Sequence, residues 1–199
     1  MNRSCLAPSL TALLLLAGCG AEGPTVPAAT PPLAGAAIGG PFALTDQNGR
    51  QVTDRSFAGR YRIMYFGYTF CPDVCPTDVA TIGAAVKLLD ASDPALSKRL
   101  QPIFVSVDPA RDTPPVLRQF VAAFHPRMVG LTGSPATIAA VIKQFGIYAS
   151  KGAASADGGY LVNHTRQAYL MDTDGKPLAL LPIEQGPQAV ADEIKHWAR

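Results

Sequence analysis

The stretch from Arg62 to Leu89 constrains this chain more than any other. Arg62–Tyr68 (RIMYFGY) is rich in β-formers and predicts a strand. Val79, Ile82, Val86 and Leu89 recur at spacings of 3, 4 and 3, which predicts one face of a helix over Pro76–Leu89. Directly between them stands Cys71-Pro72-Asp73-Val74-Cys75-Pro76. Two thiols therefore lie on a short turn where a strand hands over to a helix.

The same alternation continues downstream. Pro102–Val107 predicts a strand, and Thr113-Pro114 a helix start with Leu117, Phe120, Val121 and Phe124 on one face. Met128–Leu131 predicts a short strand. Ser134-Pro135 opens a helix carrying Ile138, Val141, Ile142 and Phe145, which Gly146 ends. Asn48-Gly49 and Asp174-Gly175 are hairpin turns, the first between Phe42–Leu44 and Arg50–Thr53, the second between Gln167–Met171 and Pro177–Leu181. Pro187–Trp197 closes the chain as a helix with Val190, Ile194 and Trp197 facing inward. This order predicts an α/β fold, a central mixed sheet flanked by helices with an extra N-terminal hairpin, compatible with a thioredoxin-like architecture.

The chain of 199 residues has room for one such domain and a sizeable core. Ahead of the domain, Arg3 precedes the apolar run Leu10–Ala17, which is too short to span a bilayer and reads as the apolar part of an export signal. The run ends in Leu16-Ala17-Gly18-Cys19, which resembles the lipobox of bacterial lipoproteins. On that reading residues 1–18 are a signal peptide and Cys19 carries the lipid. An ordinary secretory signal is the alternative. Residues 19–38, with the single charge of Glu22, read as a Pro/Ala/Gly tether, and residues 39–199 as the folded domain. The expected location is the bacterial cell envelope, with the domain facing the periplasm or the cell exterior. Signal cleavage would remove Cys5 and lipidation would occupy Cys19, leaving thiols only at Cys71 and Cys75, in an oxidising compartment. Lys and Arg together number 17 against 15 Asp and Glu, with no basic run, so the basic face of a nucleic-acid binder is missing.

A proline follows each cysteine and biases its backbone away from the α region. Cys75 is therefore expected to cap the helix, with Pro76 at the first helical position. Free N–H groups and the helix dipole there favour a thiolate and predict a lowered thiol pKa, opposed by Asp73 and Asp78. The pair could be a structural disulfide, although so short a loop adds little stability, or a redox or metal site. Of the three histidines, His196 is expected at a helix end and His125 as a cap. His164 follows Tyr160-Leu161-Val162-Asn163 just before a strand, 89 residues beyond Cys75, and spacing alone cannot place it beside the thiols. Asp108, Arg111 and Asp112 follow a strand end, as either an ion-paired loop or a partner-docking one. Tyr65, Phe66, Tyr68 and Phe70 read as core and shielding residues.

Three separated blocks carry a resemblance. Tyr65–Pro76 (YFGYTFCPDVCP), Val105–Pro114 (VSVDPARDTP) with Leu131-Thr132-Gly133, and Asn163-His164-Thr165 resemble the signatures of the SCO/SenC family. The resemblance implies a thioredoxin-like, membrane-tethered copper chaperone that helps assemble the dinuclear copper centre of cytochrome c oxidase subunit II. Other copper carriers or thiol reductants are further partners it suggests. It places the family's copper ligands on Cys71, Cys75 and His164. One departure stands out, since members usually carry Asp where this chain has Asn163. Two thiolates suit Cu(I), an imidazole also suits Cu(II), and three ligands leave a position open for handing the ion on. The competing reading is a thiol–disulfide oxidoreductase using Cys71 and Cys75. Against it stand the Cys-x-x-x-Cys spacing and the absence of proline around Asn163-His164-Thr165, where such enzymes carry a cis-proline. A thiol peroxidase would carry Thr or Ser three residues before its reactive cysteine, and Tyr68 stands there.

Overall fold

A computed structural model of the chain describes residues 29–154 and 159–198. In chain order its strands and helices are β1 (Ala43–Asp46), β2 (Gln51–Thr53), β3 (Tyr61–Gly67), α1 (Val74–Ser92), α2 (Pro94–Lys98), β4 (Leu100–Ser106) and α3 (Pro114–Ala122). There follow β5 (Val129–Thr132), α4 (Pro135–Gln144), β6 (Ala149–Ala154), β7 (Tyr160–His164), β8 (Ala168–Met171), β9 (Pro177–Leu180) and α5 (Pro187–Trp197). Seven strands form one sheet in the order β2-β1-β5-β4-β3-β8-β9, and β6 and β7 form a separate two-stranded ribbon.

The sheet is mixed, as the alternation of elements predicts. β3, β4 and β5 run parallel, joined by crossovers through α1 and α3, while the two hairpins add antiparallel edges through β1–β5 and β3–β8. Every residue of β3 and of β4 is buried, as expected for central strands covered on both faces. Successive side chains of β3 divide between those faces. The Tyr65 hydroxyl reaches Asp78 on α1, whereas the Phe66 ring packs against Phe145 at the end of α4, with centroids 5.0 Å apart. The N-terminal hairpin turns at Gly49, whose φ of +79° suits glycine, and the Asp46 carboxylate accepts from the Asn48 and Arg50 N–H groups across the turn.

Three local expectations need correction. Helix α1 begins at Val74 with Asp73 at its N-cap, so Cys75 lies inside the first turn instead of capping it. N–H groups of a first turn have no intrahelical partner, so Pro76 at the third helical position forfeits no hydrogen bond. His164 ends a strand of the β6–β7 ribbon, which hydrophobic periodicity did not signal because its residues are half-exposed. The chain also joins the fold ahead of Gly39. The Leu33 N–H donates to the Leu178 carbonyl at 3.0 Å, and Leu33 and Ile38 pack against the core. Among the described residues no helix is long and apolar enough to cross a membrane.

Candidate metal centre

The cysteine turn springs from the carboxyl end of β3, at the centre of the sheet. Its first residues are tied down by Asp112, which is fully buried beyond the end of β4. The Asp112 carboxylate accepts from the Thr69 hydroxyl at 2.6 Å, from the Thr69 N–H at 3.2 Å, and from the Ser106 hydroxyl at 2.6 Å. Burial pushes this carboxyl upward against the pull of those donors. Gly67, the last residue of β3, lies directly beneath Cys75. A Cβ there would stand 3.0 Å from the Cys75 sulfur, so any larger residue would displace the thiol.

The two thiols, both free, have opposite acidities. Cys75 is wholly buried, and that burial pushes its thiol up to about 12, outweighing its favourable place in the first helical turn. The expected lowering therefore fails for Cys75 and applies to Cys71. Burial raises Cys71 too, but the backbone N–H groups of Cys75 and Asp73, with the Cys75 thiol and the Tyr68 hydroxyl, bring it below an ordinary thiol. The anion-stabilising end of the helix thus acts on the outer sulfur.

His164 closes on the inner one. Its Nε2 lies 3.1 Å from the Cys75 sulfur, bridging 89 residues of sequence. Its Nδ1 lies 3.1 Å from the Thr165 carbonyl oxygen, which can only accept, so Nδ1 carries the proton and Nε2 presents a lone pair to the sulfur. Burial lowers the imidazole pKa and keeps it neutral. The Tyr68 ring meets the imidazole edge-on, with centroids 5.9 Å apart. Outward, Cys71 and His164 border an open cleft of about 320 Å³ between Pro72–Val74 and Leu161–His164, with Cys75 buried behind them. Among the described residues no three His, Cys, Asp or Glu side chains stand close enough together to hold a metal ion, so the structure does not bring Cys71, Cys75 and His164 together as a complete three-donor set. The Cys75–His164 pair is preformed, and Cys71 stands at the rim beside it.

Two arginines hold the strand that carries His164. At the start of β7, Arg111 donates to the Tyr160 carbonyl at 3.0 Å and its guanidinium lies over the Tyr160 ring, 3.6 Å from the centroid. Asp108 fastens that arrangement, accepting from Arg111 Nε at 2.5 Å and from the Tyr160 hydroxyl at 2.9 Å. Asp108 and Arg111 are thus the ion-paired loop. Beyond the end of β7, Arg166 donates two hydrogen bonds to Asp78, from Nε at 2.7 Å and from Nη2 at 2.5 Å. Sequence reasoning noticed Asp78 only as an opposing charge and missed Arg166. The one signal available was that Asp78 stands three residues past Cys75, on the same helical side. Of the other histidines, His125 is buried against Asp90, with Nε2 3.2 Å from the carboxylate, and the His196 ring packs on Trp197. Cys19 lies outside the described residues.

Comparison with known proteins bears on the family and the fold. A family model described as SCO1/SenC matches residues 30–199. The mitochondrial SCO2 homologue of Danio rerio is 42% identical over 157 residues, covering 79% of this chain and 56% of the relative, so the chain spans little more than half of that protein. Among solved structures, ScoI of Bradyrhizobium japonicum with copper bound superposes with a TM-score of 0.73 at 42% identity, covering 80% of this chain and 99% of that one. BsSco, described as a member of the Sco family of cytochrome c oxidase assembly proteins, matches with a TM-score of 0.61 at 27% identity, covering 79% and 91%. The expected thioredoxin-like fold is therefore the fold observed. With a cysteine turn on the central strand, a histidine brought onto it from a separate ribbon and a family model covering the whole folded region, this chain belongs to the SCO1/SenC family.

Proposed function

We propose that this chain is a copper metallochaperone that holds the ion with Cys71, Cys75 and His164 and delivers it during assembly of the dinuclear copper centre of cytochrome c oxidase, with subunit II as the receiver. The approach of His164 Nε2 to the Cys75 sulfur at 3.1 Å carries the reading. The donor set fits the cargo: two soft sulfurs suit Cu(I), and the neutral imidazole adds a donor that Cu(II) also accepts. Cys71, the more acidic thiol, offers the first thiolate at the open rim. Cys75 surrenders its proton as the ion enters, so loading releases protons and strengthens as pH rises. Three protein donors leave a coordination position for the receiver's ligand. Oxidation of the two thiols to a disulfide would switch binding off.

The lipobox-like Leu16-Ala17-Gly18-Cys19 supports a lipid anchor at Cys19, with residues 1–18 as signal, a tether that ends where Leu33 joins the fold, and the domain held outside the cytoplasm. The acidity of Cys71 favours a second role as a thiol–disulfide reductant. Its thiolate would attack a substrate disulfide and Cys75 would resolve the mixed disulfide, so that two electrons pass to the substrate and this protein's pair becomes oxidised.

The test is an anaerobic copper titration of the reduced chain from Gly20 onward, beside His164→Ala. Tight binding near one ion per chain that weakens sharply in His164→Ala supports the ligand set. Equal binding by both removes His164 from it. Rapid reduction of a disulfide substrate with no competitive copper binding would put the reductase first.

A further inference from the structure

We infer that Arg166 is a positioning residue for the His164 imidazole, acting through Asp78. The inference rests on the reading of His164 as a metal ligand and adds a residue that this reading does not require.

Cys75 and Asp78 are three residues apart on α1 and point from one side of the helix. His164 and Arg166 are two residues apart on the run from β7 to β8, and both side chains reach α1. The two pairs face each other in register. Cys75 meets His164 at 3.1 Å, and Asp78 meets Arg166 at 2.5 and 2.7 Å, so sulfur–imidazole contact and ion pair are neighbouring rungs between the same two segments. Among the described residues this is the one ion pair joining the helix of Cys75 to the strand end of His164.

The other ties of this segment do not run to α1: the Val162 N–H donates to the Tyr68 hydroxyl, and beyond Gln167 the chain enters the sheet where Ala168 pairs with Tyr65. The Thr165 N–H donates to Tyr148, which leads into β6 and so moves with the ribbon. The Asp78 side chain is only 1% exposed and already accepts from the Tyr65 hydroxyl at 2.9 Å, while the Arg166 side chain is 43% exposed. A single hydrogen bond does not satisfy a buried carboxylate, which gains most from a paired cation with fixed bidentate geometry. A planar guanidinium bound through two nitrogens fixes orientation as well as distance, which a lysine ammonium does not. Arg166 thereby holds the chain two residues beyond the imidazole at a set place and angle over α1.

The experiment uses the reduced chain from Gly20 onward, which keeps every described residue, with Arg166→Met, Arg166→Lys, His164→Ala and the paired Asp78→Leu/Arg166→Leu. In the metal-free protein, nuclear Overhauser contacts between the His164 ring protons and the Cys75 β-protons are expected to fade in Arg166→Met and to be only partly kept in Arg166→Lys. With copper added, the Cu(II) charge-transfer absorption of Arg166→Met should shift toward that of His164→Ala, and Cu(II) affinity should fall about tenfold or more, as for other residues that orient metal ligands. The paired variant leaves no unpartnered buried carboxylate, so it should fold even if Arg166→Met does not, and should show the same lost contact. Retention of the wild-type contact and Cu(II) spectrum in whichever of these variants folds, with only the melting temperature lowered, would overturn the inference. If His164→Ala leaves the copper spectrum unchanged while Arg166→Met loses the ring contact, the ligand assignment fails and the positioning role stands.

Discussion

The seven-stranded sheet and the two-stranded ribbon supply the two halves of the site by opposite means. β3 and β4 are buried along their whole length, and β3 places the cysteine turn through core packing, with Asp112 tying down the turn's start at Thr69. The ribbon of β6 and β7 buries only Val162, and it meets the body through a few nameable contacts at Tyr160, His164 and Arg166. The two proposed sulfur ligands are thus preset by the core, whereas the proposed imidazole ligand is conditional on its anchors. Damage to the sheet should therefore cost stability and leave the ligands alone, while damage to the ribbon's anchors should do the reverse.

The strongest test of that division is Phe66→Ala. Phe66 is fully buried and packs on Phe145, so the variant should lose about 3–5 kcal/mol of stability, read by denaturant unfolding. Below its unfolding transition it should still bind one copper ion per chain. Loss of copper binding by the folded variant would show that the sheet also tunes the site.

The thiols provide the next largest effect. At pH 8, iodoacetamide should modify Cys71 at least about a hundredfold faster than Cys75, because the thiolate is the nucleophile and burial holds Cys75 protonated. Peptide mapping after timed quenching measures the ratio, and equal rates would remove the asymmetry. Folding stability carries the same signature. An unfolded Cys75 thiol titrates near the ordinary 9.0 and the folded one at about 12, so its contribution is complete below pH 9. It is lost between pH 9 and 12, where only the unfolded state releases the proton. Cys71 is shifted the other way and acts below pH 9, so the two windows do not overlap. The melting temperature of the metal-free protein should fall more steeply above pH 9 than that of Cys75→Ala.

Arg111→Ala should act mainly on the ribbon, although Arg111 also pairs with Asp108 and lies over Tyr68 and Phe70. Removing the guanidinium strips the Tyr160 carbonyl of its partner and leaves the ring only the Lys151 ammonium, at a local cost of about 1–2 kcal/mol. Hydrogen exchange at the β6–β7 amides should quicken while exchange in β3 and β4 stays unchanged. Equal acceleration in both would mean that ribbon and sheet open together.

The smallest effect belongs to Asn163→Asp. Asn163 is exposed on β7, next to His164 but on the other side of the strand. Placing an acid there should change copper affinity by no more than about threefold, the reach of one exposed charge in salt. A larger change in a competition titration would place residue 163 among the groups that act on the ion.

Much of this was legible along the chain. The strand at Arg62–Tyr68, both hairpin turns and the proline-led starts of α3, α4 and α5 are where local rules place them, because caps, turns and periodicity are properties of near neighbours. The ribbon escaped notice for the same reason: a half-exposed strand pair has no apolar face to repeat. The start of α1 was misplaced because Pro76 marks the first turn of a helix without fixing which residue of that turn it occupies.

The site divides in the same way. Residue types and order by themselves determined that two soft sulfur donors would sit on a strand-to-helix turn within an α/β domain. Only the tertiary structure decided that His164 reaches Cys75 across 89 residues, that Cys71 and not Cys75 is the acidic thiol, and that Arg166 stands against Asp78. Hydrophobic pattern is written into neighbouring residues, but burial and contact between distant segments exist only once the sheet and ribbon have packed, and those set acidity and ligand geometry.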